Sequence, residues 1–385
     1  MFSFDDIPAS GGEVLKSAEI SDVIRIKVVG VGGGGCNAVS HMMREGVKGI
    51  KFTAINTDRP ALNVSAADFK LQIGEKITGG KGAGSDPNVG RKSAEESKNS
   101  IQKIFEDTDL VFITAGMGGG TGTGAAPIVA EAARSAGVLT VGVVTKPFPF
   151  EGARKARIAD EGIEKLKSQV DTLIVIPNEK LSKVSPEKIT LANAFAIADG
   201  VLRQAVVGIA DVLRRTNFIN LDFADLRTIL KDAGFAHIGI GRAEKKDKVI
   251  NATTQAIQSP LMETSIRGAR RVLINITGSP DLLYDEVEEV VGAVKEAASA
   301  DANIIFGMGL DEGLSDELIV VVIATDFDES SGLDGIEFLK DKIPIDKAHS
   351  PKVKNSEPND DDNDDDWEEM DKLLKDLGVS GKDHK

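Results

Sequence analysis

The sequence is poor in the residues on which several classes of protein depend. It has one cysteine, Cys36, which excludes a disulfide framework and suits a reducing compartment. No run approaches about 18 apolar residues, and the acidic start MFSFDDIPAS lacks a basic segment, so we expect a cytoplasmic protein without a signal peptide or membrane insertion. Its net charge of −15 argues against nucleic acid or an anionic membrane as a partner, because polyanions need a basic face. The histidines are isolated, which argues against a metal site or a catalytic triad.

The body of the chain has three parts. Strand-like and helical segments alternate through residues 22–189, which is typical of a parallel sheet covered on both faces. Residues 190–216 are apolar on nearly all sides, and they predict a central helix that is buried all round between two lobes. Residues 217–328 hold further strands and helices. We therefore predict an α/β fold: a Rossmann-like parallel-sheet domain, the central helix, and a smaller α+β domain.

The two ends of the chain differ from this body in composition. Residues 1–21 are small and polar and predict a disordered extension, while residues 329–365 include NDDDNDDD, which cannot pack a core and predicts an acidic linker. Residues 366–385 predict a tail with a short amphipathic helix, begun by a capping box of Asp366 and Glu369. Its apolar face consists of Trp367, Met370, Leu373, Leu374 and Leu377.

A first glycine-rich turn lies between a strand and a helix. Gly30, Gly32 and Gly35 form a GxGxxG pattern, and Asp58 follows the second strand at the distance of a ribose-binding acid. This combination is typical of an NAD-type dinucleotide-dependent oxidoreductase. However, the run GVGGGG satisfies almost any glycine template, including a tight turn that binds no ligand. Both interpretations remain open.

A second glycine-rich loop, GMGGGTGTG, runs from Gly116 to Gly124, and six of its nine residues are glycine. It also leaves a strand and enters a helix, so its N–H groups and the helix amino terminus would form an anion cradle beside the first turn. Thr121 and Thr123 add hydroxyl donors. No GxxxxGK[ST] occurs, which excludes a P-loop nucleotidase. Two converging loops predict a site for a chain of phosphates.

Six motifs along the chain carry a family resemblance: GVGGGGCNAV, NTD, AGMGGGTGTGAAP, VTKPF, FEG and NLDFADLRT. Together they resemble FtsZ, the family of bacterial tubulin-like GTPases of cell division, from Asp22 to Phe327. The resemblance implies a tubulin-like fold, GTP or GDP as ligand, and Mg²⁺ carried with the nucleotide phosphates. It also implies self-assembly into a head-to-tail homopolymer that forms a contractile ring at mid-cell.

The resemblance further implies which residues bind GTP. Glu151 would contact the ribose, although it opens a helix, where any carboxylate interacts favourably with the dipole. Asn178 and Asp199 would read the base, and Phe195 would stack on it. Three groups would hold the phosphates: Gly33, Gly34 and Asn37; then Gly82, Ala83 and Gly84 at the terminal phosphate; and Gly118, Gly119, Gly120, Thr121 and Gly122.

Two features depart from the family's pattern. Lys155 stands where the family has arginine, with Arg154 and Arg157 beside it, so the cation that contacts the nucleotide stays open. The family's C-terminal peptide, an acidic residue followed by Ile-Pro and a hydrophobic-basic end, is missing, and DDIP occurs only near the amino terminus. We expect the amphipathic tail to recruit a division partner or a membrane-tethering protein in its place.

Asp222 and Asp225, with Asn220, are the catalytic residues that the resemblance implies. They stand at the start of the helical stretch FADLRTILKDAG, where acids also stabilise the dipole, so the residues alone would favour a structural role. Carboxylates near a phosphate can position water and accept its proton. Asp222 lies ~23 residues, or ~35 Å of helix, beyond Asp199, which is too far to reach the nucleotide of the same chain. The active site must then form between two molecules, and repetition of that contact builds an open filament.

Two more alternatives stay open. A tubulin-like filament that positions DNA would be expected to carry a basic segment for its DNA-bound partner, whereas this tail is acidic.

Cys36, beside the first glycine turn, is either a redox switch or a small packed thiol, and packing is the simpler interpretation.

Overall fold

The structure, a computed structural model, describes residues 24–181, 190, 193–214, 221–258 and 266–327. The predicted extension 1–21, the linker 329–365, the tail 366–385 and the predicted catalytic residue Asn220 lie outside the described residues. The limits of the predicted domains stay predictions.

Ten strands form one continuous sheet. In chain order they are β1 (Ile26–Val31), β2 (Lys51–Asn56), β3 (Phe69–Gln72), β4 (Leu110–Gly116), β5 (Leu139–Lys146), β6 (Thr172–Pro177), β7 (Gly234–Glu244), β8 (Ala269–Gly278), β9 (Asn303–Leu310) and β10 (Glu317–Phe327).

The order across the sheet is β3-β2-β1-β4-β5-β6-β7-β10-β8-β9. From β3 to β7 all neighbours are parallel, whereas β10 runs antiparallel to both β7 and β8. Strand β4 is buried along nearly its whole length, as expected of a parallel strand with helices on both faces. The predicted α/β fold, with a mixed sheet in its second part, is confirmed.

Helices accompany every part of the sheet. They are α1 (Gly32–Arg44), α2 (Arg59–Val64), α3 (Glu75–Thr78), α4 (Pro87–Glu96), α5 (Lys98–Ile104), α6 (Thr121–Ser135), α7 (Ala153–Lys167), α8 (Ala194–Arg214), α9 (Phe223–Leu230), α10 (Lys248–Ile257) and α11 (Tyr284–Ala297).

The residue pattern of Val89–Phe105 predicts one helix, but the structure divides this stretch into two. Ser97 has φ −100° and ψ 15° and separates α4 from α5. Its hydroxyl accepts a hydrogen bond from the Gly74 amide at 3.2 Å. Serine side chains that bond to backbone groups in this way compete with helix formation, and periodicity alone does not reveal them.

The central helix α8 is less buried than predicted. Leu202, Val206 and Ile209 lie on its buried face, within the same apolar cluster as parts of β1, β5, β6 and β10. Phe195, at the start of the helix, is 52% exposed although it lies on that same face, and the opposite side includes Gln204, which is exposed. Alanine and glycine make up much of the rest of that side, and small residues lose little when they face water. No described helix is long and apolar enough to cross a membrane.

Candidate nucleotide site

The predicted site residues follow neighbouring strands at one edge of the sheet. The turn after β1 begins at Gly32, the loop after β4 at Met117, and the segment after β6 at Asn178. Strands β1, β4, β5 and β6 are adjacent and parallel, so their carboxyl ends meet at the same edge. This edge is where ligands bind in open α/β sheets.

The two glycine-rich loops pack directly against each other. A Cβ atom on Gly32 would lie 2.6 Å from the amide nitrogen of Gly122, and one on Gly34 would lie 3.2 Å from the Cα of Gly116. Gly32 also has φ +73°, which L side chains rarely adopt. The missing side chains therefore allow the close contact, and the two loops converge as the sequence predicts.

A third segment, residues 79–86, closes against the same loop. A Cβ atom on Gly120 would lie 2.9 Å from the Cβ of Ala83. Within the described residues, a Cβ atom on Gly33, Gly84 or Gly119 would meet nothing within 4 Å apart from its chain neighbours. Each of the three converging segments thus presents at least one glycine to open space, which leaves room for a ligand close to the backbone.

Two helices begin in these loops, α1 at Gly32 and α6 at Thr121. The first N–H groups of a helix have no partner in their own helix, and they carry a partial positive charge. Neither α1 nor α6 has an acidic residue in its first turn. The two helix ends can therefore direct their N–H groups toward the same anionic ligand.

The two threonines of the second loop differ in what they do. The Thr123 hydroxyl accepts a hydrogen bond from the Gly118 amide at 2.9 Å, so both groups hold the shape of the loop. Thr123 was expected to donate to phosphate, but it is 4% exposed, and its methyl group lies beside Gly162 of α7. The Thr121 hydroxyl instead lies 2.7 Å from the hydroxyl of Thr57, at the end of β2.

Lys155 is the cation that lies next to the glycine loop. Its carbonyl oxygen would be 2.8 Å from a Cβ atom on Gly118, and its ammonium group forms an ion pair with Glu151 at 2.9 Å. Arg154 and Arg157 are exposed. The predicted ribose contact Glu151 and the predicted cation Lys155 therefore lie together at the start of α7.

Phe195, at the start of α8, belongs to a group of three phenylalanines. Its ring meets the ring of Phe148 edge to face at 5.5 Å, and Phe148 stacks on Phe150 at 5.1 Å. Asn178 is 5% exposed, and its side-chain oxygen has no hydrogen-bond partner among the described residues. An unpaired buried acceptor is costly, so a ligand that donates a hydrogen bond to Asn178 would remove that cost.

Asp199 lies one helical turn after Phe195, on the same side of α8. Burial raises the pKa of its carboxyl group to about 7, and the positive charge of Arg44, on α1, opposes that increase. A second contact joins the same helices, since Arg203 forms an ion pair with Glu45 at 2.7 Å. The start of α8 is thus held beside the helix that carries the first glycine turn.

Asp58 and Cys36, which were considered as a ribose-binding acid and a redox switch, make structural contacts instead. The Asp58 carboxylate caps α2 by accepting the Ala61 amide at 2.9 Å, and residue Lys81 pairs with the Asp58 backbone. Asp58 was the candidate ribose acid of a dinucleotide enzyme. Cys36 is 3% exposed and donates to the carbonyl oxygens of Gly30 and Ile55, and burial raises the pKa of its thiol to about 12. These contacts agree with a packed thiol.

Asp222 and Asp225 lie at the start of α9, as its N-cap and in its first turn. The other end of α9 lies near the amino end of β6: the Thr172 hydroxyl donates to the Leu230 carbonyl, and the Ala233 amide donates to the Asp171 carbonyl. Asn178 follows the carboxyl end of the same strand, roughly 17 Å away at 3.3 Å per residue. The end of α9 and the candidate nucleotide residues after β6 therefore lie at opposite ends of that strand.

Two family models and several solved structures match this chain. The model of the tubulin/FtsZ family GTPase domain matches residues 25–186, and the model of the FtsZ family C-terminal domain matches residues 234–328. An FtsZ dimer from M. jannaschii, described as empty, is 43% identical, with 78% of this chain and 88% of that chain covered and a TM-score of 0.74. The chain belongs to the tubulin/FtsZ family.

Two further structures show how the family resemblance extends. A tryptophan-to-tyrosine mutant of M. jannaschii FtsZ is 43% identical, with 79% of this chain and 91% of that chain covered and a TM-score of 0.74. CetZ2 from Haloferax volcanii, a GTPγS-bound protofilament, is 18% identical, with 83% of this chain and 98% of that chain covered. Its TM-score of 0.68 shows that the two proteins share the fold. All three glycine-bearing segments lie in the part that matches the tubulin/FtsZ GTPase domain. The oxidoreductase interpretation finds no support.

Sequence reasoning missed several contacts in the site. Thr57 was quoted only within the motif NTD, yet its position directly after β2 places it at the same edge of the sheet as the glycine loops. Phe148 was quoted only within the motif VTKPF, and Phe150 only within the motif FEG. Arg44 stands in the last turn of α1, and no sequence pattern pairs it with Asp199.

Proposed function

We propose that this tubulin/FtsZ family member is a GTPase activated by its own assembly. The observation that carries the proposal is the arrangement around β6: candidate nucleotide residues follow its carboxyl end, while α9, whose first turn holds Asp222 and Asp225, ends near its amino end. We expect the phosphate site and the two acids of one chain to stay apart. A head-to-tail contact would bring the two together.

The phosphate chain of GTP would lie against the three converging segments. The N–H groups at the starts of α1 and α6 would bind phosphate oxygens, and the glycines would let them approach closely. Since its amide is already bonded to Thr123, Gly118 would shape the loop. The proposed contacts are Gly33, Gly34, Asn37, Gly82, Ala83, Gly84, Gly119, Gly120, Thr121 and Gly122.

The base and the ribose would lie between the starts of α7 and α8. Guanine presents N1–H and N2–H₂ as neighbouring donors, which the Asp199 carboxylate can accept, while the unpaired oxygen of Asn178 is a further acceptor. The exposed ring of Phe195 would stack on the base. Glu151 would accept from a ribose hydroxyl, and Lys155 would move from Glu151 toward the phosphates.

Mg²⁺ would arrive with the nucleotide. The described residues contain no cluster of three or more His, Cys, Asp or Glu side chains that could hold a metal, so phosphate oxygens and water would supply most ligands. Bound in this way, Mg²⁺ would neutralise charge on the phosphates.

Hydrolysis would occur at the junction of two molecules. Asp222 and Asp225 of one molecule, with Asn220, would face the terminal phosphate of the next, where they would position the attacking water and accept its proton. Self-association is supported by the relatives: one M. jannaschii FtsZ structure is a dimer, and the CetZ2 structure is a protofilament. Repetition of the junction would give an open filament.

The rate of GTP hydrolysis at increasing protein concentration tests this proposal. If activity needs a junction, specific activity should be negligible below a threshold concentration and should rise steeply above it. Light scattering, recorded on the same samples, should rise at the same concentration. A specific activity that stays constant on dilution would contradict activation by assembly.

The cellular role follows from the family. The filaments would form the mid-cell ring, and the predicted tail would connect them to a division protein or a membrane tether. A fluorescent fusion expressed at low level tests this location, and a diffuse signal in dividing cells would contradict it.

A further inference from the structure

Thr57 contacts two of the three segments that form the candidate phosphate site. It follows β2 directly and is fully buried. Its hydroxyl oxygen lies 2.7 Å from the hydroxyl oxygen of Thr121, at the start of α6. Its carbonyl oxygen accepts hydrogen bonds from the Gly82 amide at 3.2 Å and from the Thr78 hydroxyl at 3.4 Å. One residue thus joins the second glycine loop to the segment 79–86.

The hydrogen bond between the two threonines can run in either direction, because each hydroxyl has one hydrogen and can also accept. A phosphate oxygen only accepts. If the Thr121 hydroxyl donates to phosphate, it must accept from Thr57, and the direction of the pair is then fixed. Within the described residues, the bond to Thr121 is the only hydrogen bond of the Thr57 hydroxyl, so its hydrogen is available for this role.

We propose that Thr57 is a positioning residue of the nucleotide site, whose buried hydroxyl donates to Thr121 and so directs the Thr121 hydroxyl toward phosphate. This inference rests on the proposed binding of GTP. Thr57 itself does not contact the ligand. Instead, it fixes the rotamer of Thr121 and the position of the Thr121 hydroxyl hydrogen. Hydrogen bonds linked in a chain of this kind strengthen one another.

Isosteric variants test the proposal on the full-length protein, with GTP and GDP dissociation constants measured by titration calorimetry. Thr57→Val removes the hydroxyl and keeps the shape, and it should weaken binding of both nucleotides about 3- to 10-fold, the scale of one hydrogen bond. Thr57→Ser keeps the hydroxyl and should bind within about 2-fold of the parent. Thr53→Val is the matched control, since Thr53 is a buried threonine of β2, the strand that Thr57 follows.

A double-mutant cycle separates positioning from general damage to the fold. If Thr57 acts through Thr121, the double variant Thr57→Val with Thr121→Val should bind GTP no more weakly than Thr121→Val alone. Two losses that multiply in the double variant, or a Thr57→Val variant that binds like the parent, would overturn the proposal. Failure of the parent itself to bind GTP would instead overturn the proposed function. If Thr57→Val does not fold, Thr57→Cys replaces it; a weak thiol donor should give a smaller loss in the same direction, and no loss would overturn the proposal.

Discussion

Asp222 and Asp225 exchange hydrogen bonds across the first turn of α9. The Asp225 amide donates to Asp222 Oδ1 at 2.8 Å, and the Asp222 amide donates to Asp225 Oδ2 at 3.2 Å. This capping box uses one oxygen of each carboxylate and leaves Asp222 Oδ2 and Asp225 Oδ1 for other partners. Capping and catalysis are therefore compatible, and the box would hold both acids in a fixed orientation at the junction.

Replacement of Asp199 should weaken GTP binding. Asp199→Ala removes the acceptor for the two guanine donors, and we expect a loss of about 1 to 3 kcal/mol, the range for hydrogen bonds to charged groups. Calorimetric titration of GTP measures this loss. Gln204→Ala is the control, because Gln204 is an exposed side chain of the same helix. The parent should also prefer GTP to ATP clearly, and equal affinities for the two would refute the assignment of the base site.

GTP affinity should depend on pH through the same carboxyl group. Because burial raises the pKa of Asp199 to about 7, the group is largely protonated below neutral pH and cannot accept both guanine donors. Affinity should be greatest above pH 7 and should fall as the pH decreases, by up to about tenfold per unit. Asp199→Asn is the control, because asparagine does not titrate and any pH dependence left in this variant comes from the nucleotide or other groups. If the parent and the variant lose affinity in parallel, the pH dependence does not come from Asp199.

The fold and the convergence of the two glycine loops were accessible from sequence because local signals and global architecture agree there. The glycines of GMGGGTGTG stand directly after a buried strand, and strand order places that loop beside the first turn. The internal bond from Gly118 to Thr123 and the pairing of Thr57 with Thr121 were not accessible, because side chains that meet across separate loops leave no periodic pattern.

The central helix shows a different limit. Its composition is apolar on nearly every side, yet Phe195 is 52% exposed. Hydrophobic periodicity measures what a helix is able to bury, and the packing of neighbouring elements decides what it does bury. The exposed ring of Phe195 and the buried unpaired acceptor of Asn178 are both better explained by a ligand than by the core.

Cys36 should not react with thiol reagents in the folded protein. The thiolate is the reactive form, and burial raises the pKa of this thiol to about 12, while its sulfur donates to two backbone carbonyls. With Ellman's reagent at pH 8 we expect no rapid reaction of the native chain and one thiol per chain in denaturant. Rapid labelling under native conditions, with loss of GTP binding, would contradict this prediction and support the interpretation of Cys36 as a redox switch.

The tail should order when it binds its partner. The predicted amphipathic helix is too short to be stable alone in water, and its apolar face suits a groove on another protein. Trp367 is the only tryptophan, so its emission reports on this segment alone. Deletion of residues 367–385 should abolish ring localisation in cells while leaving GTP hydrolysis intact. A truncated protein that still forms normal rings would show that the tail has no such role.

Complementation between two inactive variants tests hydrolysis at the junction. Asp225→Asn should bind GTP but lose roughly 10²- to 10⁴-fold in turnover, the usual scale for a positioned acid-base group. Asparagine still offers an oxygen for the capping box, so stability should change little. Gly119→Asp should fail to bind GTP, because it places negative charge in the proposed phosphate site, and a Cβ atom at this position meets no other residue within 4 Å.

The mixture of these two variants distinguishes catalysis from a purely structural role of the acids. Neither should hydrolyse GTP appreciably alone, but when the pocket of Asp225→Asn faces the acids of Gly119→Asp, one junction is complete. Part of the activity should return, with a maximum at intermediate mixing ratios, since only junctions in that order are competent. If the acids merely stabilise α9, activity would not recover, and the loss in Asp225→Asn would instead follow a loss of thermal stability. An inactive mixture that still forms mixed filaments by sedimentation would rule out catalysis in trans, because assembly would then have joined the two half-sites without effect.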